Sequence, residues 1–185
     1  YTYQEIKKVV NNISIQHEIV FINDGSKDNT LQILKNIGQN DKSVKYISFS
    51  RNFGKEAGML AGLEYITGDC VVIMDADLQH PPELIPEMIK YYEEGYDQVI
   101  AKRNRKGDNK YRTWATRLYY KLVNKLIDVE LVDGVGDFRL LSRKAVDSIL
   151  AMKEYNRFSK GIFSWIGFKQ KTIQYENQSR VAGET

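Results

Sequence analysis

The feature that most constrains this chain is a repeated change of hydrophobic period. "EIVFIND" (18–24), "VKYISF" (44–49), "CVVIM" (70–74) and "DQVIA" (97–101) are short apolar runs that predict buried strands. Helical spacing fills the intervals. In "NTLQILKNIG" (29–38), Leu31, Leu34 and Ile37 share one helix face and Gly38 reads as a stop. "KEAGMLAGLEYITG" (55–68) carries small residues that let a helix lie close on a sheet. "PELIPEMIKYYEEG" (82–95) has proline near its start and Gly95 after it. "YRTWATRLYYKLVNKLI" (111–127) predicts a longer helix with Trp114, Leu118, Leu122 and Leu126 on one stripe. Strands alternating with helices build an α/β fold with a mostly parallel sheet. After residue 128 the pattern changes: "FRLLS" predicts a short strand, "RKAVDSILAM" a helix, and "FKQKTIQYE" a hairpin-like or edge strand. No repeat, low-complexity tract or linker interrupts the chain, so one domain over residues 1–185 is expected.

In open α/β sheets, ligands bind outside the carboxyl ends of the strands. That rule gathers four polar stretches at one edge: Asn23-Asp24-Gly25-Ser26, Arg51-Asn52-Phe53-Gly54, Asp75-Ala76-Asp77 and Lys102-Arg103. The third is the most demanding. Asp75 and Asp77 lie one residue apart where a strand ends, and unpaired carboxylates so placed raise each other's pKa and weaken a fold. A divalent cation turns the repulsion into a site. Mg²⁺ and Mn²⁺ prefer oxygen ligands, and Mg²⁺ takes one or two carboxylates and completes its shell with water and phosphate oxygens. Gln79 adds a neutral oxygen. The plainer alternative is a pair of turn or capping aspartates before "HPPE". "NDGSKDNT" (23–30) combines a carboxylate, a glycine for close approach and hydroxyls before a helix; an Asx turn with a helix cap is its plainer reading.

Global charge names no partner, since the net value is only +3. Its distribution is uneven: between Lys102 and Lys121 stand eight Lys or Arg residues and one acid, Asp108. Such a stripe suits a phosphate-bearing or membrane-surface partner, or simply a solvated helix face. The one cysteine, Cys70, excludes an internal disulfide, fits a reducing compartment and reads as a core residue. No apolar run reaches the ~18 residues of a membrane helix, and no signal peptide is visible. Tyr1 is not a start residue and "SRVAGET" lacks a closing element, so a longer protein is expected at both ends.

Taken in order, NDGS-x-D-x-T, RNFGK-x-A, DADLQHPPE and GDFRLLSR resemble family 2 glycosyltransferases with the GT-A fold, a Rossmann-like nucleotide-diphospho-sugar transferase sandwich. They are most similar to enzymes that move a sugar from a nucleotide donor to a polyprenyl phosphate: bactoprenol glucosyltransferases and dolichyl-phosphate mannose synthases. The resemblance covers nearly all of residues 18–185. It implies that Asp24 binds the nucleotide base, with Gly25, Ser26, Lys55, Asp75 and Ala76 as further nucleotide-sugar contacts. It implies Mg²⁺ or Mn²⁺ at Asp75, Asp77 and Gln79. The usual first strand of the family, central in its sheet, is absent from this sequence, as are its C-terminal membrane helices.

The implied reaction is inverting attack of a lipid phosphate oxygen on the anomeric carbon of a UDP-sugar, at the cytoplasmic face of the membrane. Glucose is the expected sugar; mannose, N-acetylhexosamine and an amino-arabinose stay open. Asp137, in "GDFRL", is the candidate near the attacking oxygen, with Asp133 second; the plainer reading of Asp137 is a salt bridge to Arg139 or a turn role. Arg103 and one of Arg112 or Arg117 are expected to hold the acceptor phosphate, with Arg180 on a loop that closes over the site in relatives. His80 is expected to shape its turn rather than bind the ion. Three rivals remain: a transferase with a hydroxyl acceptor, a non-catalytic nucleotide-sugar-binding domain, and a nucleic-acid-binding domain, which leaves the acidic loops unexplained. Homo-oligomerisation stays open.

Overall fold

The structure is a computed structural model, and it describes residues 1–104, 135–152 and 158–176. The elements run α1 (Thr2–Val10), β1 (Ile19–Asn23), α2 (Thr30–Asn40), β2 (Val44–Ser48), α3 (Lys55–Tyr65) and β3 (Cys70–Ile73). A 3₁₀ turn (Pro82–Leu84) leads into α4 (Ile85–Glu93). Then follow β4 (Gln98–Asn104), β5 (Val135–Ser142), α5 (Arg143–Ala151), α6 (Ser159–Trp165) and β6 (Gln170–Glu176).

The strands form two groups. β1 and β2 pair in parallel, Ile19 opposite Val44 through Asn23 opposite Ser48. The other four lie in the order β3-β5-β4-β6. β5 runs antiparallel to both β3 and β4, and β6 runs parallel to β4. Three of these four strands therefore point one way, the mostly parallel α/β arrangement expected. The reversed strand matters most for the site. Because β5 runs backwards, its beginning lies at the edge where β3 and β4 end. Ile73 is opposite Arg139, so Asp137 falls just past the end of β3.

β5 is also the core strand. Phe138, Leu140 and Leu141 are fully buried, each worth roughly 2–3 kcal/mol of apolar transfer. Its alternating side chains feed two clusters, Leu141 with Leu63, Val146, Ile149 and Phe163, and Phe138 and Leu140 with Met88, Val99 and Ile173. The small residues of α3 act as expected: a Cβ on Gly58 would meet Ile22 of β1 at 3.2 Å. Cys70 is half-buried against the second cluster, and burial pushes its thiol up to about 11, so it stays a protonated packing group.

Several boundaries differ from expectation. α2 runs past Gly38 to Asn40, since a glycine inside a packed helix is a cost and not a stop. β4 continues to Asn104, so Lys102 and Arg103 lie within the strand rather than in a loop after it; pairing with β6 extends it. Among the described residues β6 is an edge strand that pairs with β4 alone. The predicted helix over 111–127 lies outside the described residues.

Candidate functional site

The first two polar stretches form one locked unit. Gly25 adopts φ +69°, and a Cβ there would stand 2.3 Å from the Arg51 carbonyl carbon. Only glycine permits that approach. The Asp24 carboxylate closes the unit, accepting the Phe53 N–H at 2.7 Å and the Gly54 N–H at 2.9 Å. Asn23, buried at the end of β1, accepts the Ser26 N–H through its side-chain oxygen and donates to the Ser48 hydroxyl. Thus the residue expected to bind a base also ties its loop to the neighbouring one.

α3 begins directly from this unit, with Gly54 as N-cap and no side-chain cap hydrogen bond. Lys55, its first residue, carries the central contact of the site. Its Nζ lies 2.7 Å from Asp75 Oδ1 and 2.7 Å from Asp137 Oδ2. Lysine is half-exposed here, while Asp137 is largely enclosed. Burial opposes the ammonium charge, but hydrogen bonds to Asp137 and Asp75 and their charges outweigh it, and the Lys55 pKa is raised. Asp137 therefore pairs with Lys55. Arg139, which the plainer reading made its partner, instead donates to the Gly136 carbonyl oxygen and stacks on the Phe163 ring at 3.9 Å. Burial brings the Arg139 guanidinium down to about 10, against the opposing charge of Asp137, and its Nε has no partner among the described residues.

The Asp75–Asp77 turn is held by its own chain. Asp77 Oδ1 accepts the Gln79 N–H at 3.1 Å, the Ala76 carbonyl oxygen accepts from the Thr2 hydroxyl at 2.6 Å, and buried Leu78 sits at φ +59°. A leucine in that left-handed region costs about 1–2 kcal/mol. His80, buried and stacked on Phe138 at 4.8 Å, accepts the Asp75 N–H on Nδ1 at 3.0 Å. An accepting Nδ1 puts the proton on Nε2, 3.8 Å from Asp75 Oδ2. Burial first, then the charge of Lys55, lower the His80 pKa against the three nearby aspartates, and the Asp75 N–H contact makes the ring part of the turn.

Arg103 is exposed on β4 and lies opposite Tyr175 of β6. Tyr175 packs edge-on against His80 and Phe138. Burial raises its phenol pKa first; Arg103 opposes this, and Asp75 and Asp77 add to it. One half-buried ring therefore stands between the aspartate turn and the foremost predicted acceptor cation. Sequence reading missed Tyr175, because an edge-strand tyrosine carries no local signal of a site. Asp133, Arg112, Arg117 and Arg180 lie outside the described residues.

The donor set at the turn is hard oxygen, suited to Mg²⁺ or Mn²⁺ rather than to a thiol- or imidazole-seeking ion. Among the described residues, no group of three or more His, Cys, Asp or Glu could enclose a metal. One or two carboxylates, with water and phosphate oxygens completing the shell, are the arrangement that Mg²⁺ favours. At Asp75 the described partner is the Lys55 ammonium.

Residues 2–150 match the model of glycosyl transferase family 2. The chain belongs to that family. It is 59% identical over 181 residues to a Bacillus subtilis (strain 168) protein that carries the provisional name glycosyltransferase CsbB, covering 98% of this chain and 55% of that one. It is 46% identical over 167 residues to the bactoprenol glucosyl transferase of Shigella phage SfX, covering 90% and 55%. This family 2 chain thus spans about half the length of the curated relatives it matches. In fold it resembles the mannosyltransferase PcManGT from Pyrobaculum calidifontis, solved with GDP-Man and Mn²⁺, at a TM-score of 0.62 and 14% identity over 98% of this chain and 53% of that one. The fold is that of the GT-A nucleotide-sugar transferases, as the ordered motifs implied.

Proposed function

We propose that this chain is the catalytic domain of an inverting glycosyltransferase that moves glucose from UDP-glucose onto a polyprenyl phosphate at the cytoplasmic face of the membrane. The observation that carries the reading is the meeting of Asp75, Lys55 and Asp137, from three separate motifs, at one nitrogen. The names of relatives at 46% identity supply the substrate class. No helix among the described residues is long and apolar enough to cross a membrane. Contact with the bilayer is assigned to the basic stripe between Lys102 and Lys121. Among the described strands, β1 and β3 are not paired with each other.

Asp24 and the 51–54 loop hold the nucleoside; Asp75 and Asp77, with Gln79, would hold the metal ion. That ion, when bound, neutralises charge on the departing diphosphate. The acceptor's phosphate oxygen forms the new bond to the anomeric carbon as the bond to the β-phosphate oxygen breaks, with inversion, and UDP departs. A phosphate monoester has its second pKa near ~6, so the nucleophile is already ionised and no proton need be removed. This suits Asp137, which is held by an ammonium ion rather than placed as an unpaired base. A hydroxyl acceptor would require that base. Arg103 receives the acceptor phosphate, with its planar fork on the oxygens. Asp137 and Lys55 orient the reactants.

The test is transfer by the full-length protein from radiolabelled UDP- and GDP-sugars to undecaprenyl phosphate, with Mg²⁺ or Mn²⁺ and with EDTA. Metal-dependent label from UDP-glucose is expected, with a loss of at least ~100-fold in Asp77→Ala and in Arg103→Ala. Nucleotide binding without lipid product from any donor would refute the acceptor.

A further inference from the structure

Lys55 stands where physical chemistry disfavours a lysine. It is the first residue of α3, where the helix dipole repels a cation and where the amides have no side-chain cap. Only carboxylates justify it there, and it has two, from strand ends on different elements. Both oxygens lie 2.7 Å from one nitrogen, so a single ion holds Asp75 and Asp137 together. Without that ion, two carboxylates would face each other at close range beside Asp77. A divalent ion bound to Asp75 would, in turn, stand within a few ångströms of the ammonium and repel it.

We propose that Lys55 is a built-in counter-cation of the metal-free site, which exchanges with the divalent ion when the donor loads. In the metal-free protein its ammonium neutralises Asp75 and Asp137 and keeps the carboxyl edge of the sheet closed. Loading moves the ammonium off Asp75. Lys55 and the amide end of α3 then both face the incoming diphosphate, a group that helix N-termini and lysines bind. This inference rests on the proposed metal-dependent donor site but not on the acceptor or the sugar. It makes Lys55 a positioning residue whose effect on metal binding is opposite to that of a ligand: its removal should tighten the metal.

The experiment uses the full-length protein without donor or acceptor. Free Mn²⁺ is titrated by electron paramagnetic resonance, and melting is followed in EDTA and in Mn²⁺. For Lys55→Met, Mn²⁺ affinity is expected to rise about five- to tenfold, the effect of removing one partly screened competing charge. Its melting temperature should fall in EDTA and recover in Mn²⁺, while Lys55→Arg should stay near wild type in both. Equal or weaker Mn²⁺ binding by Lys55→Met would overturn the exchange, as would Mn²⁺ binding by neither protein. If Lys55→Met does not fold, the wild type answers alone. Acetylation of Lys55 by an amine-reactive reagent, read by peptide mass spectrometry, should speed up several-fold on adding Mn²⁺; unchanged or slower labelling overturns the proposal. Wild-type transfer is measured in parallel. Tighter Mn²⁺ in Lys55→Met with no transfer to any lipid would sink the functional reading and leave the exchange standing. Transfer undiminished in EDTA, with no Mn²⁺ bound, would overturn the exchange and the metal-dependent donor site, and leave only the transfer of sugar to the lipid standing.

Discussion

The two strand groups satisfy their carboxylates in different ways. At the carboxyl ends of β1 and β2, acids answer backbone N–H groups: Asp24 takes those of Phe53 and Gly54, and Asp28 that of Thr30. At the same edge, beside β3 and β5, Asp75 and Asp137 share the Lys55 ammonium, while Asp77 accepts the Gln79 N–H. A backbone amide cannot leave without unfolding its loop, whereas a lysine can swing away on its own side chain. The first group therefore supplies a fixed cradle and the second an exchangeable one. A nucleoside needs the former, since its shape never changes during transfer. The reacting phosphates, which arrive and depart charged, need the latter.

The largest effect expected from breaking the fixed side is at Gly25. In Gly25→Ala the new methyl would press on the Arg51 carbonyl carbon, against backbone rather than a yielding side chain, at a φ of +69°. Overpacking and left-handed strain together should cost about 3 kcal/mol or more, enough to threaten a domain of ordinary stability. Denaturant melts of the variant check this. A loss under about 1 kcal/mol would mean that the two loops are free to part, and the contrast would fail.

A smaller effect is expected at the amino ends of the same strands. Glu18 accepts the Thr67 N–H and hydroxyl just before β3 and pairs with Lys45 of β2 at 2.6 Å. Burial alone would raise its pKa, but Lys45 and Thr67 prevail and hold it at about 2. With the folded pKa below the unfolded one, the unfolded chain binds more protons on the acid side. The stabilisation is thus complete above pH ~4.5 and is lost as pH falls toward 2, amounting to about 2 kcal/mol. Stability measured between pH 7 and pH 3 should show this slope, and Glu18→Gln should flatten it while leaving nucleotide binding intact, since this end lies opposite the site.

Much of this arrangement was legible in the residues. The four leading strands follow from short apolar runs, and "NDGS" marks Gly25 as a place of close approach, though not that the Arg51 backbone is what approaches. What the sequence hid has a common cause. Lys55 and Asp137 are far apart in the chain, and nothing local marks them as partners; Arg139, two residues from Asp137, was the nearer guess. β5 was read as a short strand because its first half, "VGD", is neither apolar nor alternating. Its pairing with two neighbours makes it long, and its reversed direction delivers Asp137 to the site. α6 escaped because its seven residues are too few for a helical period to show. Periodicity reports which face is buried; it is silent on which strand runs backwards.

The smallest effect sharpens the comparison most, because it sets one aspartate of each kind side by side. Asp24→Asn keeps one acceptor oxygen and turns an amide N–H₂ toward a backbone N–H, so one of two hydrogen bonds is lost. In a part-exposed loop this should cost about 1 kcal/mol of stability and weaken UDP binding. Asp75→Asn loses only its share of an exposed lysine, and should cost about half as much or less. Its defect should appear instead as lost Mn²⁺ affinity, with the melting curve in EDTA nearly unchanged. Melts and Mn²⁺ titrations of the two variants, run together, separate the roles. If Asp75→Asn proves the more destabilising in EDTA, the Lys55 bridge holds the fold as firmly as the backbone amides do, and it could not then be the part of the site that exchanges.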